Sequence, residues 1–177
     1  LKGLPDLAVC DSQVVDRMVA DLPLKVPCTT FSMLFARYKG DLGEAVRGVA
    51  AIDSMKEGDR VLIAESCSHH PISDDIGRIK IPAWMKRYKG FDIPFDVFAG
   101  RDYPEDMSRY RLIVHCGGCM ITRREMLHRV RKAREMNIPI TNYGVTISFL
   151  QGVLERVLTP FPEELEMYRS LRGGNKA

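Results

Sequence analysis

Val61-Leu62-Ile63-Ala64 is a continuous apolar run with no polar alternation. Such a run marks a strand covered on both faces, which happens almost only in a parallel sheet packed between helices. The same theme recurs downstream. Ile93 to Phe98 predicts a second strand, held to an edge by Pro94. Leu112-Ile113-Val114 predicts a third and Ile138 to Thr141 a fourth. Between them lie a helix that starts near Pro82 and runs through Tyr88, and a helix capped by Thr122 and Glu125 that reaches Met136. A closing helix spans Val145 to Leu158, and Pro160 and Pro162 break the chain before a last helical stretch. Strands separated by helices give the fold class: α/β, a parallel sheet flanked by helices and built from βα repeats.

The first third of the chain reads as a smaller α/β unit. Leu7 to Cys10 is a short strand, Asp11-Ser12 caps the helix of Val14 to Leu22, and Leu24 to Val26 is a short edge strand. Thr29-Thr30 opens a helix through Tyr38. A further helix, from about Leu42 to Met55, reads as a connector with an exposed end. The expected domains are therefore residues 1–55, a remnant of a second domain, and residues 56–177. The chain opens on Leu1 rather than Met and reads as a piece of a longer protein.

Hydrophobic residues make up 45% of the 177 and charged residues 28%, a balance that folds around its own core. No apolar run is long enough to span a bilayer and no secretory signal opens the chain, so a cytoplasmic location is expected. The net charge of +3 with only 8% aromatic residues excludes a nucleic-acid footprint. No Gly-x-x-x-x-Gly-Lys-[Ser/Thr] loop is present, which excludes a P-loop nucleotide site.

Chemistry concentrates in two motifs: Cys67-Ser68-His69, and His115-Cys116-Gly117-Gly118-Cys119. Both follow predicted buried strands, at the carboxyl ends where open α/β sheets place their sites. The Cys-x-x-Cys turn aims two thiolates at one centre, and its glycines leave backbone N–H groups free for cluster sulfur. Three cysteines leave a four-iron cubane one protein ligand short. His69, His115 or a loop carboxylate such as Glu65 is the candidate to complete the set, or one iron is open to an outside ligand. Asp74, Asp75 and Asp102 are weaker candidates for the surroundings. Cys3His also describes structural zinc, and a lone Cys-x-x-Cys describes a thiol–disulfide oxidoreductase using Cys116 and Cys119. Cys10 and Cys28 read as small buried apolar residues. The helix after the cysteines carries Arg123, Arg124, Arg129, Arg131, Lys132 and Arg134. These form a solvated face or, alternatively, a docking face for an acidic partner.

Four segments carry a family resemblance: Glu65-Ser66-Cys67-Ser68-His69-His70-Pro71, His115-Cys116-Gly117-Gly118-Cys119-Met120, Phe31 to Asp41, and Thr141-Asn142-Tyr143-Gly144-Val145. Together they resemble the HydF family of FeFe-hydrogenase maturation factors, over roughly Asp6 to Phe161. The resemblance implies that residues 1–55 end a dimerisation domain and that residues 56–177 bind a 4Fe–4S cluster through Cys67, Cys116 and Cys119, with His69 and His115 completing the motif. It further implies a scaffold role: a di-iron precursor of the hydrogenase active site is built with radical-SAM maturases and delivered to apo FeFe-hydrogenase, with a homodimer as the working form. The family's GTPase domain has no counterpart in these residues, so no enzymatic activity is expected of them.

Overall fold

The computed structural model of the chain describes residues 3–66, 75–100 and 104–174. Its core is a four-stranded sheet of β3 (Val61–Ala64), β4 (Phe95–Phe98), β5 (Leu112–His115) and β6 (Ile140–Asn142), in spatial order β4-β3-β5-β6. All three pairings are parallel. β4 lies at the edge, where Pro94 directs it. β3 and β5 are buried at every position.

Alternation along these strands divides the core between two layers. Val61, Ile63, Leu112 and Val114 point to one face and pack with Val46, Val49, Met85 and Val145. These partners come from α3 (Leu42–Val49), α5 (Ile81–Lys89) and α7 (Tyr143–Leu150). Leu62, Ala64 and Ile113 point to the other face, against Met107, Tyr110, Val130 and Ala133. Val130 and Ala133 belong to α6 (Arg123–Glu135), which caps on Thr122 as the sequence predicts, with Glu125 N–H donating to Thr122 Oγ1 at 3.2 Å. The result is a helix–sheet–helix sandwich.

The N-terminal unit pairs β1 (Ala8–Cys10) with β2 (Cys28–Thr30) in parallel. The crossover between them is α1 (Val15–Asp21). The strand expected at Leu24 to Val26 forms instead at Cys28–Thr30, beyond Pro27, where the N–H groups that a ladder needs are available. Thr30 then ends β2 and caps α2 (Phe31–Lys39) at once, accepting from Met33 N–H at 3.3 Å. Asn142 does the same between β6 and α7, accepting from Val145 N–H at 2.8 Å.

Two expected helices are each divided. The stretch from Leu42 to Met55 forms α3 and α4 (Ala51–Ser54), and rather than standing clear as a connector it is pressed into the molecule, with Leu42, Val46, Val49 and Ile52 buried. Gly48 lies so close to the Ile140 backbone that any side chain would collide with it, so α3 sits directly on β6. The closing helix ends at Leu150 and resumes as α8 (Leu154–Val157), broken at Gly152, whose φ is +74°. A final helix, α9 (Pro162–Gly174), packs on α3. Among the described residues no helix is long and apolar enough to cross a membrane.

Candidate metal centre

The strand order puts a crevice between β3 and β5. From β3 the chain moves outward to β4, whereas from β5 it moves outward to β6, so the loops after β3 and β5 diverge. This is the switch point at which parallel α/β sheets bind ligands. Glu65 and Ser66 leave β3 there, and Cys116 to Cys119 leave β5.

Cys116 bridges the two strand ends. Its N–H donates to Ala64 O at 2.9 Å and prolongs the ladder by one residue. Its Sγ accepts from Ser66 N–H at 3.2 Å and lies 3.3 Å from Ser66 Oγ. A thiolate at Cys116 would therefore meet two donors on Ser66, because the hydroxyl can rotate to give its proton. Ser66 precedes Cys67 in the sequence, so the contact ties the residue just before the first cysteine motif to the second motif. Cys67, His69, His70, Asp74 and Asp102 lie outside the described residues. Among the described residues no three His, Cys, Asp or Glu side chains gather as a metal set. The β5 loop carries two free thiols, Cys116, half-buried, at the crevice, and Cys119, exposed, three residues further on.

The loop between these thiols is open on its N–H side. The N–H groups of Gly117, Gly118, Cys119 and Met120 have no hydrogen-bond partner among the described residues. Gly118 holds φ at +65°, and a side chain there would run into the Met126 methyl. Only glycine meets both demands. Two thiols and four free N–H groups in one short turn, just before the N-terminus of α6, form a donor set that fits a thiolate-held, anionic centre.

His115 is buried, and both of its ring nitrogens are engaged. Nδ1 lies 2.6 Å from Cys116 O, and Nε2 lies 3.2 Å from Nη1 of Arg129. A guanidinium only donates, so Nε2 accepts and Nδ1 carries the proton given to Cys116 O. Burial pushes the imidazole down to about 4, which keeps it neutral. In this arrangement neither nitrogen presents a free lone pair. Glu65 is likewise engaged: its buried carboxylate takes a two-pronged pair from Arg78, at 2.6 and 3.2 Å, and lies 3.5 Å from the Tyr143 hydroxyl. Asp75 caps the turn leading into α5 by accepting from Arg78 N–H at 2.8 Å.

Three participants escaped the sequence reading. Ser66 stood in a motif that carries the family resemblance, but no role was assigned to it. Arg129 looked like one more cation on a solvated face, yet its side chain is 1% exposed and also donates to Gly100 O at 2.9 Å. Of the other basic residues on α6, Arg123 bonds Tyr38 O, Lys132 bonds Pro104 O, and Arg134 pairs with Asp41 and Glu44. Arg124 and Arg131 remain exposed. The third is Lys39, whose Nζ reaches the cysteine loop and donates to Gly118 O at 2.7 Å and Cys119 O at 3.1 Å. Its position at the end of α2, three residues before α3 begins, gave no sign of this. A cavity of about 40 Å³ separates α2 and α3 from the loop, lined among others by Ser32, Phe35, Lys39, Cys116 and Asn142.

Comparison with known proteins agrees with the family resemblance. The family model for the hydrogen maturase F tetramerization domain matches residues 43–160, and the model for its dimerization domain matches residues 1–40. A comparison with curated proteins returned no match. The tetramerization match alone spans most of the chain, and with it come a role in hydrogenase maturation and a capacity for self-association. The chain belongs to the hydrogen maturase F family.

Proposed function

We propose that this chain holds a 4Fe–4S cluster on Cys67, Cys116 and Cys119 and acts in hydrogenase maturation as a scaffold, with a di-iron precursor of the FeFe-hydrogenase active site as its cargo. Radical-SAM maturases would supply that cargo and apo FeFe-hydrogenase would receive it. The observation that carries the reading is the bond from Ser66 to Cys116 Sγ, which joins the carboxyl ends of β3 and β5 beside Cys67. A bound cubane would supply an iron whose outer position exchanges ligands. The engaged state of His115 and Glu65 supports leaving that position to a labile group, since each is committed to an arginine. The roles of the residues follow. The three thiolates ligate, Ser66 and the loop N–H groups donate to sulfur, and His115 braces Cys116 through its carbonyl.

Iron and sulfide analysis of anaerobically purified protein tests the reading. About four irons and four sulfides per chain are expected. Cys67→Ser, Cys116→Ser and Cys119→Ser should each lose most of that iron. Added imidazole or cyanide should change the electron paramagnetic resonance spectrum of the reduced protein. A colourless protein holding one zinc would make the site structural. A metal-free protein that cycles a Cys116–Cys119 disulfide would make it a thiol oxidoreductase.

A further inference from the structure

Lys39 belongs to the segment matched by the dimerization model, whereas Gly118 and Cys119 belong to the segment matched by the tetramerization model. The contact between them is a charge-assisted pair: one ammonium gathers two consecutive carbonyls, at 2.7 and 3.1 Å. It recruits the last turn of α2 to a loop whose own backbone makes few bonds. Within that loop Ile121 N–H donates to Gly118 O at 3.2 Å, so Gly118 O is shared between Ile121 and Lys39. A second tie lies alongside, where Arg123 Nε donates to Tyr38 O at 3.1 Å.

Peptide geometry gives the contact its consequence. In a trans peptide the N–H points opposite to the C=O of the same unit. The Gly118 carbonyl shares its peptide with the Cys119 N–H, and the Cys119 carbonyl shares its own with the Met120 N–H. By drawing both carbonyls toward α2, Lys39 turns both of those N–H groups the other way, and neither finds a partner among the described residues. Free N–H groups in a cysteine turn are what anionic sulfur accepts from. Two carbonyl oxygens turned toward the centre instead would repel the same charge.

We propose that Lys39 is a positioning residue for the metal centre: it fixes the Cys116–Cys119 loop in the conformation that offers N–H groups to bound sulfur, and it places a positive charge beside the loop. The proposal rests on the reading of Cys116 and Cys119 as cluster ligands.

The test compares wild type, Lys39→Gln, Lys39→Arg and Cys116→Ser, each as the full chain. Lys39 is half-buried at a helix end. The metal-free Lys39→Gln protein should therefore melt within about 2 °C of wild type, as surface changes do. Lys39→Met, which keeps the apolar stem, replaces it should the glutamine variant not fold. After anaerobic reconstitution with ferrous iron and sulfide, Lys39→Gln should lose its cluster to excess chelator about tenfold faster than wild type, the scale of one charge-assisted hydrogen bond. Its reduction potential should shift negative, because the added electron loses a neighbouring cation. Lys39→Arg should restore the potential more fully than the lifetime, since it returns the charge in a different shape. Wild-type lifetime and potential in Lys39→Gln would overturn the assignment of Lys39 and leave the site standing. Equal iron in wild type and Cys116→Ser would overturn the site itself, and the role of Lys39 with it.

Discussion

Arg129 and His115 meet face to face in the layer between α6 and β5, with Arg129 Nη1 3.2 Å from His115 Nε2 and both side chains closed to solvent. The pair sits one residue before Cys116, and its outer rim is the Gly100 carbonyl, which takes another Arg129 N–H. A buried guanidinium is costly unless its donors are used, and this one is spent on holding the end of β5.

Replacing Arg129 with Met should therefore cost about 3 kcal/mol of stability, since buried His115 Nε2 would lose its donor and half-buried Gly100 O another. Urea unfolding of the metal-free protein measures it, as a lower midpoint at unchanged slope. The double variant Arg129→Met with His115→Phe should be less unstable than the two single losses added together, because the second change removes the acceptor stranded by the first. Strict additivity would mean that the two side chains are neighbours without coupling.

Tyr88 offers a pH-dependent effect far from the cysteines. Tyr88 stays 40% exposed, yet partial desolvation, followed by the bond its hydroxyl gives to Asp53 at 2.7 Å, pushes the phenol up to about 12. The folded value lies above the unfolded value near 10, so the contribution is complete below pH 10 and is lost as the pH rises through 12. At pH 8, Tyr88→Phe should be less stable than wild type by about 0.5–1 kcal/mol, the net worth of one hydrogen bond. Between pH 10 and 12 that gap should close. A gap that stays constant to pH 11.5 would show that the hydroxyl titrates normally.

Self-association should depend on the outer face of α2. Phe31, Phe35 and Tyr38 recur at helical spacing on one side, and Tyr38 is 81% exposed. Leu24, Leu7 and Val14 are also exposed within the segment matched by the dimerization model. Apolar surface gathered in this way marks a contact site. Phe31→Glu combined with Tyr38→Glu should weaken association at least tenfold in sedimentation equilibrium, the scale expected from two buried anchors. The melting temperature of the dissociated chain should hold, because these side chains already face water. Unchanged association would place the contact elsewhere.

The sheet was legible wherever one element answers to one local signal. Val61 to Ala64 has no polar residue, and β3 spans those same four positions. Pro94 ruled out a central position, and β4 is an edge strand. Thr122 with Glu125 announced the start of α6. Legibility failed where a residue's role is set by a distant part of the chain. Arg129 shares its helix and its charge with Arg124 and Arg131, and only the packing of α6 over β5 turns one inward and leaves the others in water. Gly48 gave no sequence reason to expect a helix lying on the β6 backbone. The cysteine loop itself was read from its motif, but its supports, Ser66 and Lys39, come from elements separated from it by fifty residues or more.

That separation bears on the order of events as the chain folds. β3 and β5 are neighbours in space, yet Ser66 and Cys116 are fifty residues apart, and no hairpin can join parallel strands. Closing such a span is slow compared with forming a helix. Until it closes, Cys116 and Cys119 stand alone on one short turn, and on the proposed ligand set they would offer a two-toothed grip that any soft metal can enter and leave. Cys67, the third ligand in the proposed set, follows β3 in the sequence and would join them only once β3 and β5 have paired. On the proposed ligand set, a tight grip on metal would thus be postponed until the polypeptide has finished folding.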